Sequence, residues 1–403
     1  MIKKALVEKI FDAASMQRWN DRIRPMEFYE LDKQSHKLVI AFFLGHFSKN
    51  DPKFSWRKLI SGAVYEFFQR IIITDLKPTV YYRIKENAQT LKALNGWVYE
   101  EIKDILKDVS PQFAEGFLQY HNDLPADHII KRILSASHIY ASWWEYQILA
   151  PLNQNAYDRE IIESTFTRWV EDFNELPGMQ QLRLNHNYKK FIDLCGHLRF
   201  QNRWSNMSRT PRTSVLGHSL FVAMLSYFFS LELSATDTRL YQNFFTGLFH
   251  DLPEVLTRDV ISPVKRSIPG LEELVKGLEK EQMEQWIYAL LPDFIGNELR
   301  FFCEEEFSDV LRLKEGNKKV SLEEIQKSYN LDEFAPRDGS LVKCADILAA
   351  FIEAVSAVKN GSRDERFFDA IKNMFALYRD KKLGDFQAGE LFKEFYDSLK
   401  GSE

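Results

Sequence analysis

Apolar residues recur at three- and four-residue spacing through Leu220–Leu231, Leu240–Leu248, Leu271–Leu291, Leu341–Val358 and Phe367–Leu377. That repeat lays one apolar stripe along an α-helix. The period-two alternation of a half-buried strand appears nowhere at any length. Short apolar runs such as Arg70-Ile71-Ile72-Ile73-Thr74 read, in this setting, as helix ends. Ser321-Leu322-Glu323-Glu324 has the form of a capping box and predicts a helix start. Pro269-Gly270 predicts a turn before the helix beginning at Leu271, and the charged stretch Lys314–Lys319 predicts another, opening an insertion before Leu341. The expected fold class is all-α.

A chain of 403 residues is long for one core, so two domains are expected. The 32 Phe and 16 Tyr provide for thick helix–helix packing. A net charge of -5 argues against a general nucleic-acid coat, and no duplex partner is expected, although a local basic pocket is compatible with it. Cys195, Cys303 and Cys344 lie far apart in helical contexts and read as core thiols in a reducing compartment. The segment Met1–Phe11 is charged and amphipathic, without an apolar signal core. No run approaches 18 uncharged apolar residues, so no membrane span is expected and the protein reads as cytoplasmic.

The dipeptide His250-Asp251, inside Phe249-His250-Asp251-Leu252-Pro253-Glu254, offers an imidazole and a carboxylate from one helix end. His218 lies 32 residues earlier in a helical segment, and Asp346 lies 95 residues later in another. Two imidazoles and two carboxylates balance the charge of one divalent transition metal and suit Mn, Co, Fe, Ni or Zn. A dinuclear site would need further histidines near the pair, and Thr246 occupies the position one turn before His250. One metal is therefore expected.

The order of these residues and their flanks resembles the HD-domain superfamily of metal-dependent phosphohydrolases. Arg203-Trp204, then His218, then His250-Asp251-Leu252-Pro253-Glu254-Val255-Leu256-Thr257-Arg258-Asp259, Pro263-Val264-Lys265 and the late Leu341-Val342-Lys343-Cys344-Ala345-Asp346 narrow the match. They are similar to the bacterial 5'-deoxyribonucleotidase branch, over roughly residues 187–380. The resemblance implies that Glu254 orients or deprotonates the attacking water. Asp259 would face the nucleotide and the leaving sugar oxygen as general acid or sugar ligand, with a helix cap as its structural alternative. Arg203 and Trp204 would grip the substrate and help exclude a ribose 2'-hydroxyl, and the Ser262 hydroxyl stands where it could bind phosphate. The expected activity is hydrolysis of a (deoxy)nucleoside 5'-monophosphate by water that the metal activates. The alternatives are hydrolysis of another phosphorylated metabolite or nucleoside polyphosphate, and a nucleotide sensor or interaction protein with weak catalysis.

The first half reads as a worn copy of the second. Lys3-Lys4, Arg18-Trp19, His36, Thr74-Asp75 and His138 parallel Lys189-Lys190, Arg203-Trp204, His218, Arg258-Asp259 and Asp346, at offsets of 186, 185, 182, 184 and 208. The expected domains are 1–178, degenerate, and 179–403, catalytic, with an insertion near 309–339. The boundary falls near Asn174–Asn187, where Glu175-Leu176-Pro177-Gly178 interrupts the helical pattern. In the first copy His250-Asp251 is replaced by Glu66-Phe67 or Tyr65-Glu66, Asp346 by His138, and Glu254 by Gln69 or Arg70. That set lacks the ligand geometry, so a silent scaffold is expected. It would take the place of a second subunit in an intramolecular pseudo-dimer, and a homo-oligomer of the whole chain is also compatible.

Overall fold

The computed structural model describes residues 2–74, 76–258, 268 and 270–399. Asp75, Asp259, Ser262, the Pro263-Val264-Lys265 segment and Pro269 lie outside the described residues. The protein is all-α, as its apolar spacing dictates.

Two helical bundles meet along a shared core. In the first, Glu30–Ser48 packs on Ile129–Leu149, with Trp56–Ile73, Ala88–Val109 and Pro111–Asn122 around them. In the second, Val215–Glu232 packs on Asp237–Phe249 and Gly339–Lys359, flanked by Glu365–Tyr378 and Ala388–Asp397. The bundles cross reciprocally: Glu30–Ser48 lies on Val215–Glu232, and Trp56–Ile73 lies on Asp237–Phe249. Lys4–Phe11 packs on Val215–Glu232, while His186–His197 packs on Glu30–Ser48. Phe42 meets Phe245 and Phe249 at 4.8 and 5.0 Å between ring centres, and Trp56 meets Tyr241 at 4.9 Å. One continuous apolar cluster therefore spans both halves. Aromatic pairs of this kind add to the burial that holds the halves together.

The Val215–Glu232 helix starts where Ser214 Oγ accepts the Gly217 N–H at 2.9 Å. By length and composition it could cross a membrane, which the sequence reading did not foresee, but most of it is buried inside the protein. Its Gly217, His218, Ser219, Ser226 and Ser230 interrupt the apolar run, and hence that expectation. Ser214 Oγ also donates to Asp32 Oδ1 at 2.6 Å, across the two bundles. Burial, opposed by Arg199 and this hydrogen bond, lifts Asp32 to about 6. A carboxyl raised on folding is most stabilising when protonated, so its contribution is lost as pH climbs from about 4 through about 6. Asp32→Asn should remove that slope, leaving the variant better by up to about 3 kcal/mol above pH 7. Urea denaturation of both chains from pH 4 to 8 measures the difference.

The insertion departs from expectation. Lys314–Lys319 is not a simple turn: Val310–Leu313 and Gly316–Lys319 form an antiparallel hairpin, with Leu313 opposite Gly316. A second, shorter pair joins Gln17–Arg18 to Phe28–Tyr29. Strands of two and four residues, one of them wholly exposed, are too short to display a period. The Ser321 capping box is present, but its helix, Leu322–Glu324, passes directly into a π turn, Ile325–Tyr329. Leu271–Trp286 also ends short of Leu291: Ile287 leaves helical geometry at φ -114°, and a short 3-10 turn, Tyr288–Leu290, leads to extended Leu291 before Pro292. Near the expected boundary, Pro177 opens a new helix, Pro177–Leu184, that packs on Glu30–Ser48. The interruption is real, but no slack linker follows it.

Behind the insertion, Arg239 clasps Asp338 with two bonds of 2.7 and 3.0 Å, both side chains fully buried. Asn243 donates to the same carboxylate at 2.8 Å. Next to it, a Cβ on Gly339 would fall 2.2 Å from the Phe307 carbonyl carbon, so only glycine fits. This clasp anchors Asp338, the residue that precedes the Gly339–Lys359 helix carrying Asp346. Arg239→Met leaves a buried carboxylate without its cation, and a loss of about 3–5 kcal/mol is expected in denaturant unfolding. A change below about 1 kcal/mol would show that the clasp is replaceable.

Candidate metal centre

Three helices deliver the expected ligands to one point. His218 stands in the first turn of Val215–Glu232, His250 caps the C-terminus of Asp237–Phe249, and Asp346 lies two turns into Gly339–Lys359. His218 Nε2 is 3.0 Å from Asp346 Oδ1, and His250 Nε2 is 3.9 Å from the same oxygen. Donor atoms of these three residues all lie within 4.8 Å of one another. Asp251 stands at the edge of the cluster, its Oδ2 3.2 Å from His250 Nε2 and 3.6 Å from Arg203 Nη1.

The far side of each imidazole explains its orientation. His250 Nδ1 donates to the Gly247 carbonyl at 2.9 Å, and His218 Nδ1 donates to Glu353 Oε1 at 3.3 Å. Each ring is thus held with Nε2 toward the centre, as a metal-binding histidine requires. His250 Nε2 and Asp251 Oδ2 are buried and meet each other at 3.2 Å without hydrogen-bond alignment, both facing the same space. A divalent cation there would satisfy both, so the donor set fits a metal. Charge is already concentrated at this point. Against burial, Asp251 and then Asp346 raise His250 to about 9, and the His250 charge holds Asp251 at about 2. Asp346 is held well below the usual carboxylate range, against burial, chiefly by Lys343, whose Nζ lies 2.9 Å from its Oδ2.

Glu353 was not singled out from the sequence, yet it joins the two parts of the site. Fully buried, it accepts Trp204 Nε1 at 2.8 Å and Arg203 Nε at 3.4 Å on one oxygen. Its other oxygen accepts Thr213 Oγ1 at 2.7 Å and the His218 ring. One carboxylate therefore orients both a candidate metal ligand and the Arg203-Trp204 pair. The clue was its place seven residues after Asp346, the one charge between Ile347 and Val358, on the same face of an apolar helix. Glu353→Gln is expected to weaken metal binding roughly 10–100-fold and to raise KM. Calorimetric metal titration beside steady-state kinetics would expose a purely packing role as unchanged affinity.

Trp204 itself holds a left-handed backbone, φ 56°, and its ring packs 5.4 Å from that of Phe367. Glu254 opens the short Glu254–Thr257 helix, one turn beyond Asp251, where its own carbonyl accepts Gln201 Nε2 at 2.9 Å. Of the remaining candidates, Asp259 and Ser262 lie outside the described residues. The first-half residues do not converge. His36 Nε2 turns to the Ile192 carbonyl at 3.0 Å, Glu66 pairs with Lys37, and His138 meets Lys33.

With this geometry in view, residues 195–374 match the family model described as HD domain. Residues 195–374 are an HD domain. Over 43% of its length, the chain is 24% identical to a 5'-deoxynucleotidase of Pasteurella multocida, covering 77% of that protein. It is 27% identical to a 5'-deoxynucleotidase of Cronobacter sakazakii, with 43% and 75% of the two chains aligned. A third, from Yersinia pseudotuberculosis, is 22% identical over 49% of this chain and 89% of its own. The HD domain makes the coarse activity that of a metal-dependent phosphohydrolase.

Proposed function

We propose that the HD domain removes the 5'-phosphate of (deoxy)nucleoside monophosphates. The observation that carries this reading is the Glu353 junction, which places the Arg203-Trp204 pair against the His218, His250, Asp251 and Asp346 cluster. Arg203 can face a phosphate with the fork of its guanidinium, and Trp204 presents an indole wall to a sugar. A divalent metal, when bound, supplies Lewis acidity and lowers the pKa of a water beside the phosphorus. Glu254 receives the proton of the attacking water, and Lys343 adds fixed positive charge to the phosphate side of the pocket. Asp259 and Ser262 stay in the proposal as sugar and phosphate contacts on the strength of the sequence. Three unpaired thiols fit a cytoplasmic setting.

The test is a phosphate-release panel of deoxy- and ribonucleoside 5'-monophosphates, triphosphates and sugar phosphates, with Mn, Co, Fe, Ni or Zn added singly. Metal-dependent release from deoxynucleoside monophosphates above their ribo counterparts is expected. Preference for triphosphates or sugar phosphates would move the activity to another substrate, and tight binding without release would make the site a sensor.

We also propose that residues 1–178 are a degenerate duplicate that acts as an internal second subunit for residues 179–403. Seven non-glycine residues among those described have positive φ, and four fall into matching pairs, Trp19 with Trp204 and Thr74 with Arg258. Trp19 Nε1 donates to Glu145 at 2.8 Å, as Trp204 does to Glu353, and these two glutamates stand at the same offset as His138 and Asp346. The reciprocal crossing of the halves supports the same reading, since an isologous pair repeats each contact with the partners exchanged.

A further inference from the structure

The N-terminal half holds a second charged pocket that phosphate ester hydrolysis at the metal centre leaves unused. Lys33 and Lys37 stand one turn apart on Glu30–Ser48, both buried. Lys37 pairs with Glu66, which also accepts the Tyr120 hydroxyl at 2.6 Å. Arg70 Nε and Arg18 Nη1 share Glu30 Oε2 at 3.1 and 2.8 Å. Arg18 Nε and Arg199 Nη1 both bond to Glu145 at 2.9 Å. Five basic side chains thus face four carboxylates, since Asp32 stands with Glu145 beside Arg199. Lys33 is the surplus: among the described residues its ammonium meets the His138 ring and no carboxylate within ion-pair distance. Burial pushes both Lys33 and His138 well below their usual values, the condition of bases that lack a counter-anion.

Under the duplication proposed above, these residues align with the metal centre. The paired left-handed residues Thr74 and Arg258 set a register in which Arg70 stands at Glu254, Glu66 at His250 and Phe67 at Asp251. His138 stands at Asp346, while Lys33 and Lys37 stand at Val215 and Ser219. Bases stand at Glu254 and Asp346 and a carboxylate stands at His250, while two ammonium groups occupy the helix face that carries His218 in the other half. The Arg18-Trp19 pair keeps its bonds to a buried glutamate. The pocket has therefore kept the gripping pair, lost its metal donors and replaced the position of the water-handling carboxylate with a guanidinium. It remains open at its rim, where Arg18, Glu66 and Arg70 keep 11%, 24% and 24% of their side chains exposed.

We propose that this pocket binds the phosphate of a nucleoside monophosphate without metal and without hydrolysing it. The phosphate part follows from Lys33, a buried base with no carboxylate within ion-pair distance that an anion would draw into its charged form, and the nucleoside part rests on the reading of the C-terminal site given above. The test uses the full chain carrying Asp251→Ala, in the presence of EDTA, so that metal-assisted binding at the other centre is removed. Calorimetric titrations with inorganic phosphate and with deoxyadenosine 5'-monophosphate should each give a single saturable event. Adding Lys33→Met should weaken both by at least about tenfold, as loss of a charge-assisted bond predicts. Arg70→Gln, at a rim position where Arg18 still pairs with Glu30, should weaken them in the same direction. Absence of binding in the Asp251→Ala chain would overturn the proposal, as would affinities unchanged by Arg70→Gln in a chain whose circular dichroism is native. Phosphate bound with no gain from the nucleoside would keep the site and remove the nucleotide. Failure of the hydrolysis panel would leave the phosphate result standing, so the two readings fail separately.

Discussion

Asp251→Ala should reduce metal-dependent phosphate release to background. The substitution removes a carboxylate that faces His250 at 3.2 Å and that, in the proposed site, would supply one of the two negative charges opposite a divalent ion. Without it, two neutral imidazoles and Asp346 would leave the ion under-compensated in a buried site, where charge imbalance is costly. Arg203, 3.6 Å away, would also lose one of its two carboxylate neighbours, keeping Glu353. The measurement is turnover across a metal titration, with metal content of the purified chain determined alongside. Near-normal turnover would mean that the site has been misassigned. Turnover lost with full metal occupancy would instead place Asp251 among the groups that hold Arg203.

Most of this site was readable in the sequence because its residues sit on helices whose apolar repeat is unambiguous. His218 and Asp346 each interrupt an otherwise apolar face, and His250-Asp251 falls at a helix end, where side chains leave the bundle. Glu353 escaped notice because a glutamate inside an apolar helix reads as an isolated oddity until its partners are known. Those partners, Trp204, Thr213 and His218, come from 135 to 149 residues away. The hairpin at Val310–Leu313 and Gly316–Lys319 was invisible for a different reason: its outer strand is entirely exposed and polar, so burial leaves no periodic mark. In the first half, Lys33 and Lys37 belong to no motif, and only their burial and their approach to Arg70 and Glu66 reveal a charged cluster. Spacing thus carried the ligands, while the residues that orient them became visible only through long-range contacts.

Glu254→Gln separates proton transfer from metal binding. Glutamine keeps the shape and one hydrogen-bonding oxygen of the carboxylate but cannot accept a proton, and roughly a 10²–10⁴-fold fall in kcat is expected. Metal affinity should be unchanged, since the closest cluster of donors comprises His218, His250 and Asp346. Position favours this division of labour: the Glu254 N–H bonds the Asp251 carbonyl at 3.1 Å, so the side chain begins one short turn from the cluster without belonging to it. Metal content and kcat therefore need measuring on the same preparation, together with KM. Loss of metal along with activity would make Glu254 a structural support for the turn. An unchanged kcat would hand the proton to another group, and Asp259, in the segment that follows, would be the next residue to replace.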